Sequence, residues 1–174
     1  MCAKCDASRP PLRQDQVWSL LESRLPPPSI RDDQCIATSS SSCQTHTRRR
    51  PDFCWIAPDR IVHVECDEYD SHKDEDVSCH LAKLDDTNWG FEGEHRPTVV
   101  IRFNPDRYDG RAVSFVERCN HLITLILFYL QCDISVLDPV RCNVIYMYYH
   151  SHMQYLMDAV KEKEETFHFV KSII

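Results

Sequence analysis

Residues 98–103 read Thr-Val-Val-Ile-Arg-Phe and stop at the turn signal Asn104-Pro105-Asp106. A mostly apolar run without polar alternation is the pattern of a strand buried on both faces, as in the interior of a sheet covered by helices. Segments that supply such cover lie on either side of it. Residues 112–131 form the longest helical pattern, so apolar in its second half that it must pack against the sheet. Residues 14–25 carry Val17, Leu20, Leu21 and Leu25 at helical spacing, and Pro26-Pro27-Pro28 stops that helix. Residues 53–56 and 61–67 are strand-forming runs separated by Ala57-Pro58-Asp59-Arg60, the signature of a hairpin. A short helix over 77–84, a strand over 143–148 and a last helix over 153–164 complete the pattern; 165–174 carries no clear periodicity. The expectation is an α/β fold in three layers, a central mixed sheet flanked by helices. Residues 1–47 read as an N-terminal helix and a Ser-rich connector with one short strand near 35–38, and 48–174 as the core, together one compact domain.

Composition removes several function classes. Three glycines in 174 residues, with no phosphate-loop or dinucleotide fingerprint, argue against a nucleotide cofactor. The longest apolar run, 122–130, is too short to cross a bilayer, so no membrane partner is expected. Met1-Cys-Ala-Lys-Cys-Asp lacks the apolar stretch of a secretory signal, which gives the expectation of a protein working inside a cell, in cytoplasm or nucleus. Ten cysteines are then better read as reduced thiols or metal ligands than as disulfides. Cys2-x-x-Cys5 is half of a zinc site that Cys35 and Cys43, with His46, would complete, although the spacing is irregular. Cys54, Cys66, Cys119 and Cys132 read as free thiols.

The net charge of −7 is unfavourable for a partner of nucleic acid, but the charges are segregated. Acids crowd residues 67–76, while Arg48, Arg49, Arg50, Arg102, Arg107, Arg111 and Arg118 gather elsewhere. An acidic focus beside a basic surface suits a metal site that handles a polyanion; it also suits a plain solvated loop.

Strand alternation puts Ile61, His63, Glu65 and Asp67 on one face and Val62, Val64 and Cys66 on the other. Glu65 and Asp67 then stand roughly 7 Å apart, and hairpin pairing brings Asp52 toward both. Carboxylates meeting at a sheet edge repel unless a cation neutralises them, and hard oxygen ligands suit Mg2+ or Mn2+. A metal held there supports phosphodiester hydrolysis, provided that a Lys, Arg or His also stabilises charge or relays a proton. His72 follows the strand closely, and His63 shares the acidic face. Glu22, on the first helix, is a further candidate ligand. Set against this, acids at turns and strand ends often only face water.

These residues carry a resemblance. Pro51-Asp52, twelve residues, then Glu65-Cys66-Asp67 looks like the PD-(D/E)XK nuclease signature, with Asp67 where that motif has lysine. The wider run RRRPDFCWIAPDRIVHVECDEYDSH, then Cys79 opening a helix, then PTVVIRFNPD and Asp109-Gly110, resembles nuclease-like domains of large DNA viruses and protists. Those domains are related to very-short-patch-repair endonucleases. The likeness spans about residues 48–111 and implies a restriction-endonuclease-like fold and metal-dependent DNA cleavage. In that reading Asp52, Glu65 and Asp67 hold the metal, His72 or Lys83 assists the chemistry, and Arg48, Arg49, Arg50, Arg102 and Arg107 contact DNA; for Arg102, which sits in an apolar strand, a structural salt bridge to a site carboxylate is an equal alternative. A homodimer is left open. The sequence departs from the family at His72, one position further from the strand, at His80, which replaces an acid, and at the missing lysine, for which Lys83 would substitute. Two rivals stand beside the nuclease: a catalytically silent descendant that binds nucleic acid or a protein, and a zinc-stabilised interaction module.

Overall fold

A short antiparallel hairpin starts the core. β4 (Phe53–Ile56) and β5 (Ile61–Cys66) pair from Phe53↔Val64 to Ile56↔Ile61, closed by Ala57 N–H donating to the Arg60 carbonyl at 2.9 Å. The computed structural model describes residues 13–31, 36–37, 48–49, 52–68, 76–89, 96–110 and 112–173. Before the hairpin come α1 (Arg13–Leu21), β1 (Ile30–Arg31), β2 (Ile36–Ala37) and β3 (Arg48–Arg49). After it come α2 (Val77–Trp89), β6 (Thr98–Phe103), α3 (Phe115–Gln131), β7 (Cys142–Met147), α4 (Gln154–Glu162) and β8 (Phe167–Ile173).

The main sheet runs β1-β4-β5-β6-β7-β8, and β2 with β3 forms a separate two-stranded ladder. β1/β4 and β4/β5 are antiparallel; β5/β6, β6/β7 and β7/β8 are parallel, each joined by a helical crossover. The sheet is therefore mixed. One face carries Phe53, Val62, Val64, Val99, Ile101, Phe103, Ile145 and Met147, packed under Val17 and Leu21 of α1 and Leu122 and Ile126 of α3. The opposite face presents Val100, Val144 and Tyr146 to Leu84 of α2 and to Leu156, Met157 and Val160 of α4. Every residue of β6 is buried, as its composition predicts. The architecture is three-layer α/β, and among the described residues no helix is long and apolar enough to cross a membrane.

Boundaries differ from the sequence reading for local reasons. α3 begins at Phe115 because Ser114 caps it, its extended backbone letting the hydroxyl accept from Glu117 N–H at 3.2 Å. α1 ends at Leu21, where Arg24 and Leu25 both donate back to the Leu21 carbonyl and tighten the last turn. α2 runs to Trp89, beyond the expected end at 84. The unassigned tail contains β8, which pairs with β7 through a register shift at Val144/Ile145. Such an irregularity breaks the alternation by which an edge strand is recognised. The connector does contain a strand at Ile36–Ala37, and α1 and β1 join the same core and sheet as the rest.

Candidate active site

The hairpin register, continued by one residue past Phe53↔Val64, sets Asp52 opposite Glu65. Asp52 is fixed there by a hydrogen bond, its Oδ2 accepting from Cys66 N–H at 2.6 Å. On the other side of β5, Glu65 stands level with Arg102 of β6, and Arg102 with Tyr146 of β7. Glu65 lies on the face covered by α2 and α4. Its carboxylate accepts a hydrogen bond from Nε2 of His63, two residues back on the same face, and His63 Nδ1 is buried without a partner among the described residues.

Asp67 follows directly. Its N–H donates to the Phe103 carbonyl at 2.9 Å, which prolongs the β5/β6 ladder and turns the side chain inward. Only 9% exposed, it receives a two-pronged ion pair from Arg102, Nε to Oδ2 at 2.8 Å and Nη2 to Oδ1 at 2.6 Å. The Tyr149 hydroxyl donates to the same Oδ2. Burial alone would pull the Arg102 guanidinium down, but the charge and hydrogen bonds of Asp67 outweigh it and hold Arg102 above the usual arginine range.

The Cys66 thiol senses the density of negative charge here. Burial pushes it well up, and the carboxylates of Asp52, Asp67, Glu65 and Glu68 raise it further, in that order. Four acids thus converge on the carboxyl end of β5. Glu68 itself is raised, first by burial, although it accepts a hydrogen bond from the Gln14 amide at the start of α1. Among the described residues no three His, Cys, Asp or Glu side chains are arranged as a ready-made metal cage. Both Asp67 oxygens accept hydrogen bonds from Arg102, while Asp52 and Glu65 face each other across the hairpin and are the pair that would hold a cation. Mg2+ keeps several waters and needs only one or two carboxylates, so the donor set fits it.

The other sequence candidates scatter. Lys83 is half-buried on α2, the helix that covers the Glu65 face; three residues earlier on α2, His80 Nε2 lies 2.6 Å from the Tyr146 hydroxyl. Glu22 is exposed just past α1, in the layer on the far side of the sheet. Arg102 is committed to Asp67. Arg107 is exposed on the loop after β6. Arg48 and Arg49 pair with Ala37 and Ile36 in the small ladder, but their side chains lie outside the described residues, as do Arg50, His72, Cys2, Cys5, Cys35 and Cys43. The six described cysteines form no disulfide, and burial pushes Cys54 up to about 12 and Cys119 to about 11, so neither of these two is a ready thiolate.

Sequence reasoning missed Tyr149 as a partner of Asp67. A local device aims it. Tyr148 takes φ 64°, the left-handed region that a bulky side chain enters only when held there. Asn104 holds it: Asn104 Nδ2 donates to the Tyr148 carbonyl at 2.9 Å and Asn104 N–H to Met147 at 3.1 Å. The kink sends Tyr148 into one core, against Phe103 and Tyr108, and Tyr149 into the other, against Tyr146. Asn104 in the Asn-Pro-Asp turn is the only hint of this in the sequence. Set against family models, characterised proteins and solved structures, the chain matches none of them.

Proposed function

We propose that the protein is a divalent-metal-dependent nuclease of the restriction-endonuclease-like kind, cutting DNA phosphodiesters at the carboxyl end of β5. The observation that carries this reading is the convergence of Asp52 and Glu65 from adjacent strands, with Asp67 and Glu68 beside them. Acids so placed repel unless a cation is added. Asp52 and Glu65 would hold Mg2+ or Mn2+, which when bound polarises a phosphoryl oxygen and acidifies a water. His63 fixes the Glu65 carboxylate through Nε2, and the Cys66 amide fixes that of Asp52. Arg102 supplies a permanent positive charge level with Glu65, behind Asp67, in a motif that has no lysine. Lys83 is the cation that α2 brings to this layer. The mixed sheet flanked by helices supports the nuclease fold but is shared by many other proteins.

Asp67 favours a second reading. It takes the place of the motif lysine and is locked by Arg102 and Tyr149, as in a scaffold that has kept its fold and binds nucleic acid without cutting it.

Supercoiled plasmid, incubated with the full chain and Mg2+ or Mn2+, separates the two. The nuclease reading expects nicking that chelation stops and that Asp52→Ala and Glu65→Ala each reduce by on the order of a hundredfold or more, as loss of a metal ligand does. Absence of nicking with either metal, or nicking indifferent to both substitutions, would sink it. DNA retardation without nicking would leave the silent scaffold.

A further inference from the structure

The loop from β6 into α3 borders a cavity of about 380 Å³, lined by Arg107, Tyr108, Gly110, Ser114 and Arg118, with the 112–113 segment between them. Arg118 sets its chemistry. The side chain is 5% exposed, yet it forms no ion pair among the described residues. Nη1 donates to the carbonyls of Asn104 (3.0 Å) and Asp106, and Nη2 to that of Pro105 at 2.9 Å. The rings of Tyr108 and Tyr148 lie 5.7 and 5.6 Å from the guanidinium carbon. Nε is buried without an acceptor among the described residues.

The plain account is a loop clamp, since three consecutive carbonyls on one guanidinium fix the path of residues 104–106. The clamp explains the geometry but not the charge. Carbonyl dipoles and ring faces lower the cost of burying a cation; they do not neutralise it. Asp106 attracts Arg118 only from beyond ion-pair range, and one of its oxygens lies 3.7 Å from Arg13 Nε. Burial accordingly pulls Arg118 below the usual arginine range. A second cation, Arg107, stands exposed beside the cavity with no ion pair among the described residues. The 17-residue helix α3 starts at the same place. Ser114 satisfies the Glu117 amide, while the amides of Phe115 and Val116 have no acceptor among the described residues. A buried uncompensated guanidinium, a free arginine and the positive end of a long helix all call for an anion.

We propose that this cavity binds a phosphate group, held by Arg107, Arg118 and the first-turn amides of α3. The phosphate is that of a nucleic-acid backbone or of a free phosphate compound, and the two share this chemistry. The site does not rest on the nuclease reading, because neither Asp52 nor Glu65 belongs to it. It lies at the same edge of the sheet as they do, since its loop leaves β6 just where Phe103 accepts from the Asp67 amide.

The test is an amide-resolved NMR titration of the full chain at constant ionic strength, with inorganic phosphate and, separately, with a short single-stranded oligodeoxynucleotide. Saturable shifts centred on the amides of 107–110 and 115–117 are expected. Arg107→Ala, an exposed change that leaves the clamp intact, weakens them on the order of tenfold, the loss of one charge-assisted contact. Arg118→Lys, which keeps the charge but not the fork, weakens them as well. Tighter binding of the oligonucleotide than of inorganic phosphate assigns the site to nucleic acid; equal or weaker binding assigns it to free phosphate. No saturable shift with either probe, or shifts that Arg107→Ala leaves unchanged, overturns the proposal. Shifts that persist in Asp52→Ala and Glu65→Ala keep this outcome separate from that of the cleavage assay.

Discussion

Asp67→Asn keeps the shape of the side chain and removes its charge, taking from Arg102, 3% exposed, the carboxylate that its Nε and Nη2 both hold. Asp67 accepts two hydrogen bonds from Arg102 and one from Tyr149. An asparagine offers one oxygen where two were used, and its amide group then faces an N–H donor. Breaking a buried ion pair from one side costs about 3–5 kcal/mol, because the remaining charge is desolvated and unpaired. Tyr149→Phe removes a single hydrogen bond to a charged group and should cost less, about 1.5–3 kcal/mol. The double replacement Asp67→Leu with Arg102→Met removes both charges and should cost less than Asp67→Asn alone. Urea unfolding reads all three through the midpoint at unchanged slope. If Asp67→Asn proves no more costly than about 1 kcal/mol, the pair is not desolvated in solution and the lock on Asp67 is wrongly described.

Three further outcomes follow from the fold. Arg60→Ala frees the carbonyls of Tyr129 and Cys132 at the end of α3, which Arg60 Nη1 caps at 3.1 and 2.7 Å, and should cost about 2–3 kcal/mol in the same unfolding assay. Asp138 accepts from Arg141 and from the amides of Val140 and Arg141; although burial pushes its carboxyl up, these bonds prevail and hold it at about 2. A depressed carboxyl contributes stability above its unfolded value and loses it as pH falls toward 2, so Asp138→Asn should be destabilising by about 1–2 kcal/mol near neutrality and nearly neutral near pH 2, as read by thermal melting across pH. Cys54, pushed up to about 12, should resist alkylation by iodoacetamide at pH 8 until the protein is unfolded, measured by mass spectrometry.

The layers were legible because their signals are local. The unbroken apolar run of β6 demanded cover on both faces, and the spacing of Leu122, Ile123 and Ile126 marked the helix that provides it on one of them. Placing Asp52 opposite Glu65 was equally legible, since a hairpin with a four-residue turn fixes its own register. The fate of Asp67 was not. Alternation says that it shares a face with Glu65, and an arginine in an apolar strand calls for a carboxylate, but Arg102 and Tyr149 reach Asp67 from positions 35 and 82 residues away, across pairings that no sequence period reveals. Arg118 was likewise visible only as one of several basic residues. Its burial against the carbonyls of residues 104–106 depends on the path of the loop after β6.

The 82-residue span of the Asp67–Tyr149 bond also sets an order of events as the chain leaves the ribosome. The β4/β5 hairpin can close early, whereas β5 gains β6, and β6 gains β7, only after each intervening helix has emerged. Until residue 149 is free of the exit tunnel, the acids at the end of β5 stand together without their tyrosine. A nascent chain stalled before that point therefore exposes a highly charged end of the sheet, the state in which chaperones or a scavenging cation would have the greatest effect on yield.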